Sequence, residues 1–118
     1  MEELIYQMEA EFLKALSHPT RIRILELLRG GEKCVCEFTE DLDLEQSNIS
    51  QHLAVLKKQG ILSSRKEGLM VLYRINYPEV LDILDTVKKV LRSQVNDTLR
   101  VLEGNEKAGN GQQRKKNG

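Results

Sequence analysis

Two cysteines, Cys34 and Cys36, are the only thiols of the chain, and a single residue separates them. Thiolates bind soft metals and As(III), and two neighbouring thiols can also be oxidised. A pair this close does not form the framework of a secreted, disulfide-rich domain. Three interpretations are open: a two-thiolate site completed by an oxygen or nitrogen ligand or by solvent, a redox switch, or two cysteines that only pack.

Geometry restricts the redox interpretation. The cysteines lie at the start of a short helix that the sequence predicts over roughly 36–42. Side chains at i and i+2 of a helix diverge by about 200°, whereas a disulfide needs Cβ atoms about 3.8 Å apart. We therefore expect a Cys34–Cys36 bond within one chain to unwind the start of this helix. Pairing between two subunits is the alternative.

Other catalytic chemistry is not indicated. His18 and His52 are the only histidines, and neither has a Ser, Cys or Asp partner at catalytic spacing. A thiol–disulfide reductase has only the Cys-x-Cys pair in its favour, because the chain has no βαβ pattern. We therefore expect a protein that is not an enzyme.

A second group of residues has the character of a DNA-binding surface. Ile49, Leu53 and Leu56 recur at i, i+4 and i+7, which predicts a helix over Glu45–Gln59 with a narrow apolar stripe. The opposite face carries short, uncharged hydrogen-bonding side chains, which suit base edges in a major groove. These residues are Ser47 and Gln51, flanked by Asn48 and Ser50.

The charge distribution supports this interpretation. The whole chain has a net charge of zero, but binding to phosphates depends on the local field. Between Gln46 and Ile75 the only acid is Glu67, whereas basic residues recur along the segment. The basic residues are Lys57, Lys58, Arg65, Lys66 and Arg74.

The elements around the polar helix predict a winged helix. The sequence of residues 62–75 predicts two strands joined by a turn at Glu67-Gly68. A helix-turn-helix followed by this hairpin, the wing, gives a mostly α fold with a small β-hairpin (α+β), in the order α-α-α-α-β-β-α. The first helix is predicted over 3–16, the second begins at Pro19, and Gly30-Gly31 ends it.

The last helix is predicted over 78–103 and would be about 39 Å long. A helix of this length exceeds what a small core can cover, so part of its apolar stripe needs another surface. We expect a homodimer through the first and last helices. The predicted interface residues are Leu84, Val87, Leu91 and Val95.

At 118 residues the chain fits one domain, predicted over 1–103, followed by a disordered basic tail over 104–118. Arg114, Lys115 and Lys116 lie in this tail. No apolar run approaches the roughly 20 residues of a membrane span, and the N-terminus is acidic rather than signal-like. We expect a cytoplasmic protein without a membrane partner.

Three segments together resemble the ArsR/SmtB family of winged-helix repressors: Phe12–Leu25, Glu32–Phe38 and Gln46–Leu53. The similarity covers roughly residues 4–103. It implies a dimer that binds double-stranded operator DNA with the fourth helix and the wing, and that releases it when a metal, a metalloid or another inducer binds. Carried onto this chain, the DNA-binding residues are Gln46, Ser47, Asn48, Ser50 and Gln51, with Arg65 and Lys66 in the wing.

The Cys34/Cys36 pair matches the thiolate sensor box of that family, but the match is incomplete. Thr39 occupies the place of a further cysteine, and the last helix carries Asp82 and Asp85 but no histidine. We expect neither a three-thiolate site within one subunit nor the family's zinc site. We expect that no cofactor is required, and binding of a soft metal or As(III) to the Cys34/Cys36 pair is an open alternative. The alternatives are a winged-helix regulator without a thiol-based inducer and an interaction module that has lost DNA binding.

Overall fold

The computed structural model describes residues 1–106, with side chains described through Gly104. Most of the predicted tail, including Arg114, Lys115 and Lys116, lies outside the described residues. None of the helices in the described part is long and apolar enough to cross a membrane. In chain order the elements are α1 (Glu2–Leu16), α2 (Pro19–Leu27), β1 (Lys33–Cys34), α3 (Val35–Leu42), α4 (Gln46–Lys58), β2 (Leu62–Glu67), β3 (Met70–Ile75) and α5 (Glu79–Glu106).

The first compact unit comprises residues 1–82. Its core is built from aliphatic side chains around Phe38, because α2, α3 and α4 pack against one another. The stripe predicted on α4 is fully buried, and this fixes which face of that helix points outwards. The largest fully buried side chains are Ile24, Leu25, Phe38, Ile49, Leu53, Leu56, Ile61, Leu62 and Val80.

The wing belongs to a three-stranded antiparallel sheet in the order β1-β3-β2. The sequence predicts only the hairpin β2–β3, so β1 is an addition. Its two residues pair with β3, Lys33 with Tyr73 and Cys34 with Leu72. A strand of two residues is too short to show an alternating pattern. The hairpin closes with a φ of +65° at Gly68, as the first position of a type II′ turn requires.

The turn between α3 and α4 and the end of α4 are set by local signals. Asp43 adopts the left-handed conformation (φ 56°), and its N–H bonds to the Thr39 carbonyl at 3.0 Å; Asp is one of the few side chains that tolerate this conformation. At the end of α4, Gly60 N–H bonds to the Lys57 carbonyl and Ile61 N–H to the Leu56 carbonyl. This is the Schellman pair of bonds, a common way for a helix to end at a glycine.

The last helix, α5, has 28 residues, which corresponds to about 42 Å. It begins one residue after Pro78 and continues to Glu106, three residues beyond its predicted end. The second compact unit begins within it, at Ile83. Most apolar side chains of this unit that are described are about half exposed: Val87, Val90, Leu91, Val95, Leu99, Val101 and Leu102.

Candidate nucleic-acid interface and thiol pair

The outward face of α4 is polar along its first half. The buried side chains of Ile49 and Leu53 anchor the helix, and their spacing places Ser47 and Gln51 on the opposite side, towards solvent. Glu45 precedes the helix and gives it no side-chain cap, so the first N–H groups of α4 are not satisfied by such a cap. The exposed side chains are Gln46, Ser47, Asn48, Ser50 and Gln51.

The basic residues next to this face differ in what they contact. Lys57 Nζ donates a hydrogen bond to Ser64 Oγ at 2.7 Å, which connects the end of α4 to the wing. Lys66 is exposed near the tip of β2 and has no acidic partner within 4.0 Å among the side chains described between residues 1 and 104. Its charge is therefore available to a phosphate group.

Arg65 is held by two carboxylates. Its Nε and Nη2 donate to Glu32 Oε2 and Oε1 at 2.9 and 2.8 Å, and Nη2 also donates to Glu67 Oε1 at 3.2 Å. These hydrogen bonds raise the pKa of Arg65 and lower that of Glu32. The sequence predicts Arg65 to contact DNA, but in this structure its charge is offset. Glu32 lies far away in the sequence, so counting charges within the wing does not detect it.

His52 lies on the inner flank of α4 and contacts the start of α2. Arg21 Nε donates to His52 Nδ1 at 3.1 Å, and the rings of His18 and His52 are 4.4 Å apart. His18 Nδ1 accepts a hydrogen bond from the Thr20 N–H and so caps α2. The pKa of His52 is lowered, first by burial and then by His18 and Arg21. His18 therefore caps α2, and the two histidine rings pack against each other.

Cys34 and Cys36 are joined by a disulfide within the chain, with their Cα atoms 5.3 Å apart. Cys34 is not in the helix: it is the extended N-cap residue of α3 (φ −92°, ψ 167°), and its N–H donates to Glu37 Oε1 at 2.9 Å. The prediction that such a bond unwinds the start of the helix is therefore wrong. It assumed that both cysteines are helical, whereas the bond joins an N-cap to the first turn.

A cavity of about 360 Å³ lies beside the thiol pair. It brings the cysteines together with the first residue of α4 and with the wing, which the sequence does not predict. Thr39 also lines it, and its Oγ1 donates to the Cys36 carbonyl at 2.8 Å. Among the described residues no group of three or more His, Cys, Asp or Glu side chains could hold a metal ion. The lining residues are Cys34, Val35, Cys36, Thr39, Gln46, Leu69, Met70 and Val71.

The residues predicted for a dimer interface divide into two groups. Leu84 is only 6% exposed, so it offers little surface to a second subunit. Val87, Leu91 and Val95 are 48%, 53% and 58% exposed, which are high exposed fractions for apolar side chains. Apolar side chains also remain exposed on α1: Leu4, Ile5, Tyr6, Met8 and Leu13.

Comparison with known proteins gives a consistent result. A sequence model described as "Bacterial regulatory protein, arsR family" matches residues 18–64, from the start of α2 into β2. The uncharacterized HTH-type transcriptional regulator Rv0081 of Mycobacterium tuberculosis is 42% identical over 102 residues, which are 86% of this chain and 90% of that protein. The arsenic resistance transcriptional regulator ArsR1 of Pseudomonas putida is 47% identical over 77 residues, 64% of this chain and 59% of that protein.

Solved structures agree with the fold. The crystal structure of Rv0081 has a TM-score of 0.73 at 41% identity and covers 80% of this chain and 96% of that one. The solution structure of Mb0332 from Mycobacterium bovis, described as a homodimeric winged helix-turn-helix DNA-binding domain, has a TM-score of 0.73 at 27% identity. It covers 81% of this chain and 89% of that one. The winged-helix architecture predicted from the sequence is confirmed.

Proposed function

Because this chain belongs to the ArsR family of DNA-binding transcription regulators, we propose that it is a homodimeric, sequence-specific repressor whose affinity for operator DNA depends on the state of Cys34 and Cys36. Its relatives are regulators rather than enzymes by name, in agreement with the sequence-based expectation. It would act in the cytoplasm, where the DNA is.

The exposed polar face of α4 is the observation that carries the DNA-binding part of the proposal. Four uncharged side chains that donate and accept hydrogen bonds lie on the solvent side of a helix whose apolar stripe is buried, and Gln46 is exposed at the start of the same helix. We call α4 the recognition helix. Side chains of this type form hydrogen bonds with base edges, and Lys66 in the wing adds a contact with the phosphate backbone.

A second subunit explains the exposed apolar side chains of α1 and α5. The stripe of α5 that includes Val87, Leu91 and Val95 loses water contact when two copies pair. Two recognition helices in a dimer would reach successive major grooves about 34–36 Å apart. The homodimeric state reported for Mb0332 supports this arrangement.

The thiol pair is the inducer-responsive part of the proposal. Two thiols form the disulfide by losing two protons and two electrons; hydrogen peroxide accepts them and becomes two water molecules, and oxidised glutathione becomes two reduced molecules. Two features support this reaction: the Cα atoms of Cys34 and Cys36 lie at a distance suited to a disulfide, and α3 keeps its first turn with the bond in place. The oxidised and reduced proteins would then differ in DNA affinity.

The open cavity beside the pair favours a second candidate, a two-thiolate site for a soft metal or As(III). Arsenous acid would bind both sulfur atoms and lose two water molecules, and a hydroxyl group would stay on the arsenic. Thr39 occupies the place of a further cysteine and supplies no third sulfur ligand. The cavity beside the cysteines has room for such an ion and a solvent ligand.

DNA binding of treated protein separates these candidates. A duplex selected from a random pool by this protein serves as the operator, and fluorescence anisotropy measures its affinity. A change in affinity with hydrogen peroxide or oxidised glutathione, reversed by dithiothreitol, supports the redox switch. Stoichiometric binding of As(III) or Cd(II) to the reduced protein, with DNA release reversed by a chelator, supports the metal site.

The double variant Cys34→Ser/Cys36→Ser is the control. It should bind the same duplex with the affinity of one state of the wild type and should respond to neither treatment. A wild type that responds to neither treatment, or a double variant that responds as the wild type does, would contradict the thiol switch. Selection of no preferred duplex would contradict sequence-specific binding.

A further inference from the structure

Cys34 and Arg65 lie in one row across the sheet. Leu72 in the central strand β3 pairs with Cys34 of β1 on one side and with Arg65 of β2 on the other. Residues that pair directly across antiparallel strands point to the same face, and two strand spacings amount to about 9.6 Å. The thiol pair and the wing are thus parts of one small sheet.

A side-chain contact spans the same row. Glu32, two residues before Cys34, accepts the two hydrogen bonds from Arg65 described above, at 2.8 and 2.9 Å. The flat guanidinium group matches a carboxylate in this two-point arrangement, which fixes orientation as well as distance. The wing is therefore tied directly to the segment that leads into Cys34.

The thiol pair fixes the C-terminal end of this segment. Cys34 ends β1 and caps α3, and its disulfide to Cys36 attaches the strand to the first turn of that helix. Only two residues of β1 pair with β3. A change at Cys34 therefore meets little resistance from the sheet, and Glu32 would follow.

We propose that the Glu32–Arg65 ion pair transmits the state of Cys34 and Cys36 to the wing, and that Arg65 is a positioning residue of the wing rather than a phosphate contact. This inference rests on the thiol switch proposed above. Lys66, which has no acidic partner among the described side chains, supplies the wing's phosphate contact instead.

The chemical step that drives the movement is exchange with a dithiol. Dithiothreitol transfers two electrons and two protons to the Cys34–Cys36 bond, forms its own ring disulfide and leaves two thiols. The sulfur atoms, held about 2.05 Å apart by the bond, then separate to a non-bonded distance. Two thiolates on one tetrahedral ion at about 2.3 Å each would lie about 3.8 Å apart. Either change releases Cys34 from its present position.

The strength of the pair limits the expected effect. Glu32 and Arg65 are partly exposed, at 29% and 46% for their side chains. Exposed ion pairs contribute little, and the upper part of their range corresponds to about a fivefold change in an equilibrium constant. The Glu32–Arg65 pair should therefore account for a factor of about two to five in the ratio between the DNA affinities of the oxidised and the reduced protein.

The test compares the DNA affinities of the oxidised and reduced forms of full-length protein on one selected duplex. We expect the ratio for Glu32→Gln to be about two- to fivefold closer to one than the ratio for wild type. The control variant Glu26→Gln breaks another two-point pair, between Glu26 near the end of α2 and Arg29 just after that helix (2.9 and 3.2 Å), and should keep the wild-type ratio. Ratios cancel any uniform effect of charge on DNA binding.

A charge exchange separates transmission from a merely structural role. Glu32→Arg/Arg65→Glu restores the pair with opposite polarity and should restore the wild-type ratio, whereas each single variant should bring the ratio closer to one. Without DNA, reduction should shift the NMR amide signals of Gly68 and Leu69 in wild type, and should shift them less in Glu32→Gln. If wild type responds and Glu32→Gln keeps the full ratio and shifts, this inference is wrong and the thiol switch stands. If wild type does not respond, the switch itself fails.

Discussion

The rings of His18 and His52 are in contact, with centroids 4.4 Å apart, so the residue that caps α2 touches the inner flank of the recognition helix. Arg21 approaches the same ring, with its Nε 3.1 Å from His52 Nδ1. Its Nη1 also donates to the Ala15 carbonyl at 3.3 Å, at the end of α1. The position of α4 thus depends on a small polar cluster as well as on its buried leucines.

This cluster predicts a loss of stability in mild acid. The pKa of His52 is lowered in the folded protein, mainly by burial and further by His18 and Arg21. Between that lowered pKa and the ordinary value of 6.5, the unfolded chain binds more protons than the folded one, so the free energy of unfolding falls as the pH falls. Urea denaturation at pH 7.5 and 5.5 measures the difference.

The variant His52→Gln keeps an acceptor for Arg21 but does not titrate. Its free energy of unfolding should decrease less than that of wild type between pH 7.5 and 5.5. The lowered pKa of Glu32 acts below 4.5, outside this window, so it does not interfere. Equal pH dependence in the variant and in wild type would show that His52 is not responsible.

A second prediction concerns the apolar face of α5. Leu91→Asp places a charge among half-exposed apolar side chains that we expect a second subunit to cover. An uncompensated buried charge costs about 3–5 kcal/mol, so the variant should sediment as a monomer at micromolar concentration and lose operator affinity.

Ser93→Asp is the matched control for Leu91→Asp. Ser93 is exposed on the same helix, but lies about 200° around it from Leu91, so the same charge should leave the dimer intact. A wild type that sediments as a monomer at micromolar concentration would rule out the proposed interface.

The elements that the sequence predicts correctly are those with local signals. The stripe Ile49, Leu53, Leu56 predicts α4 and fixes its orientation. The turn residue Gly68 fixes the hairpin. These features depend on neighbours a few residues apart, so one sequence is enough to find them.

What the sequence does not reveal depends on contacts between distant segments. The strand β1 exists because Lys33 and Cys34 pair with β3, and this pairing makes Cys34 an extended N-cap rather than a helical residue. Glu32 reaches Arg65 for the same reason. Local periodicity carries no information about these contacts, and a charge count within the wing does not detect the carboxylate of Glu32 beside Arg65.

A third prediction tests the recognition helix. Replacing Ser47 or Gln51 by Ala should weaken binding to the selected duplex by about 1–3 kcal/mol if a base contact is lost, and should change binding to unrelated DNA little. Gln59→Ala removes a glutamine at the opposite end of the same helix and should preserve the preference. Competition between selected and random duplexes measures it. If Ser47, Asn48 and Gln51 can all become Ala with the preference intact, α4 does not determine sequence specificity.

The last prediction separates the two basic residues of the wing by the salt dependence of binding. Each phosphate contact contributes about 0.9 to the slope of log affinity against log salt concentration. Lys66 is exposed and has no acidic partner among the described side chains, so Lys66→Ala should lower the magnitude of the slope by about one and weaken all duplexes alike. Lys89→Ala removes the same charge from α5 and should leave the slope unchanged. Arg65 is offset by Glu32 and Glu67, so Arg65→Gln in the oxidised protein should change the slope less than Lys66→Ala does. A larger change for Arg65→Gln would show that Arg65 leaves its carboxylates to bind phosphate, and would return it to the role that the sequence predicts.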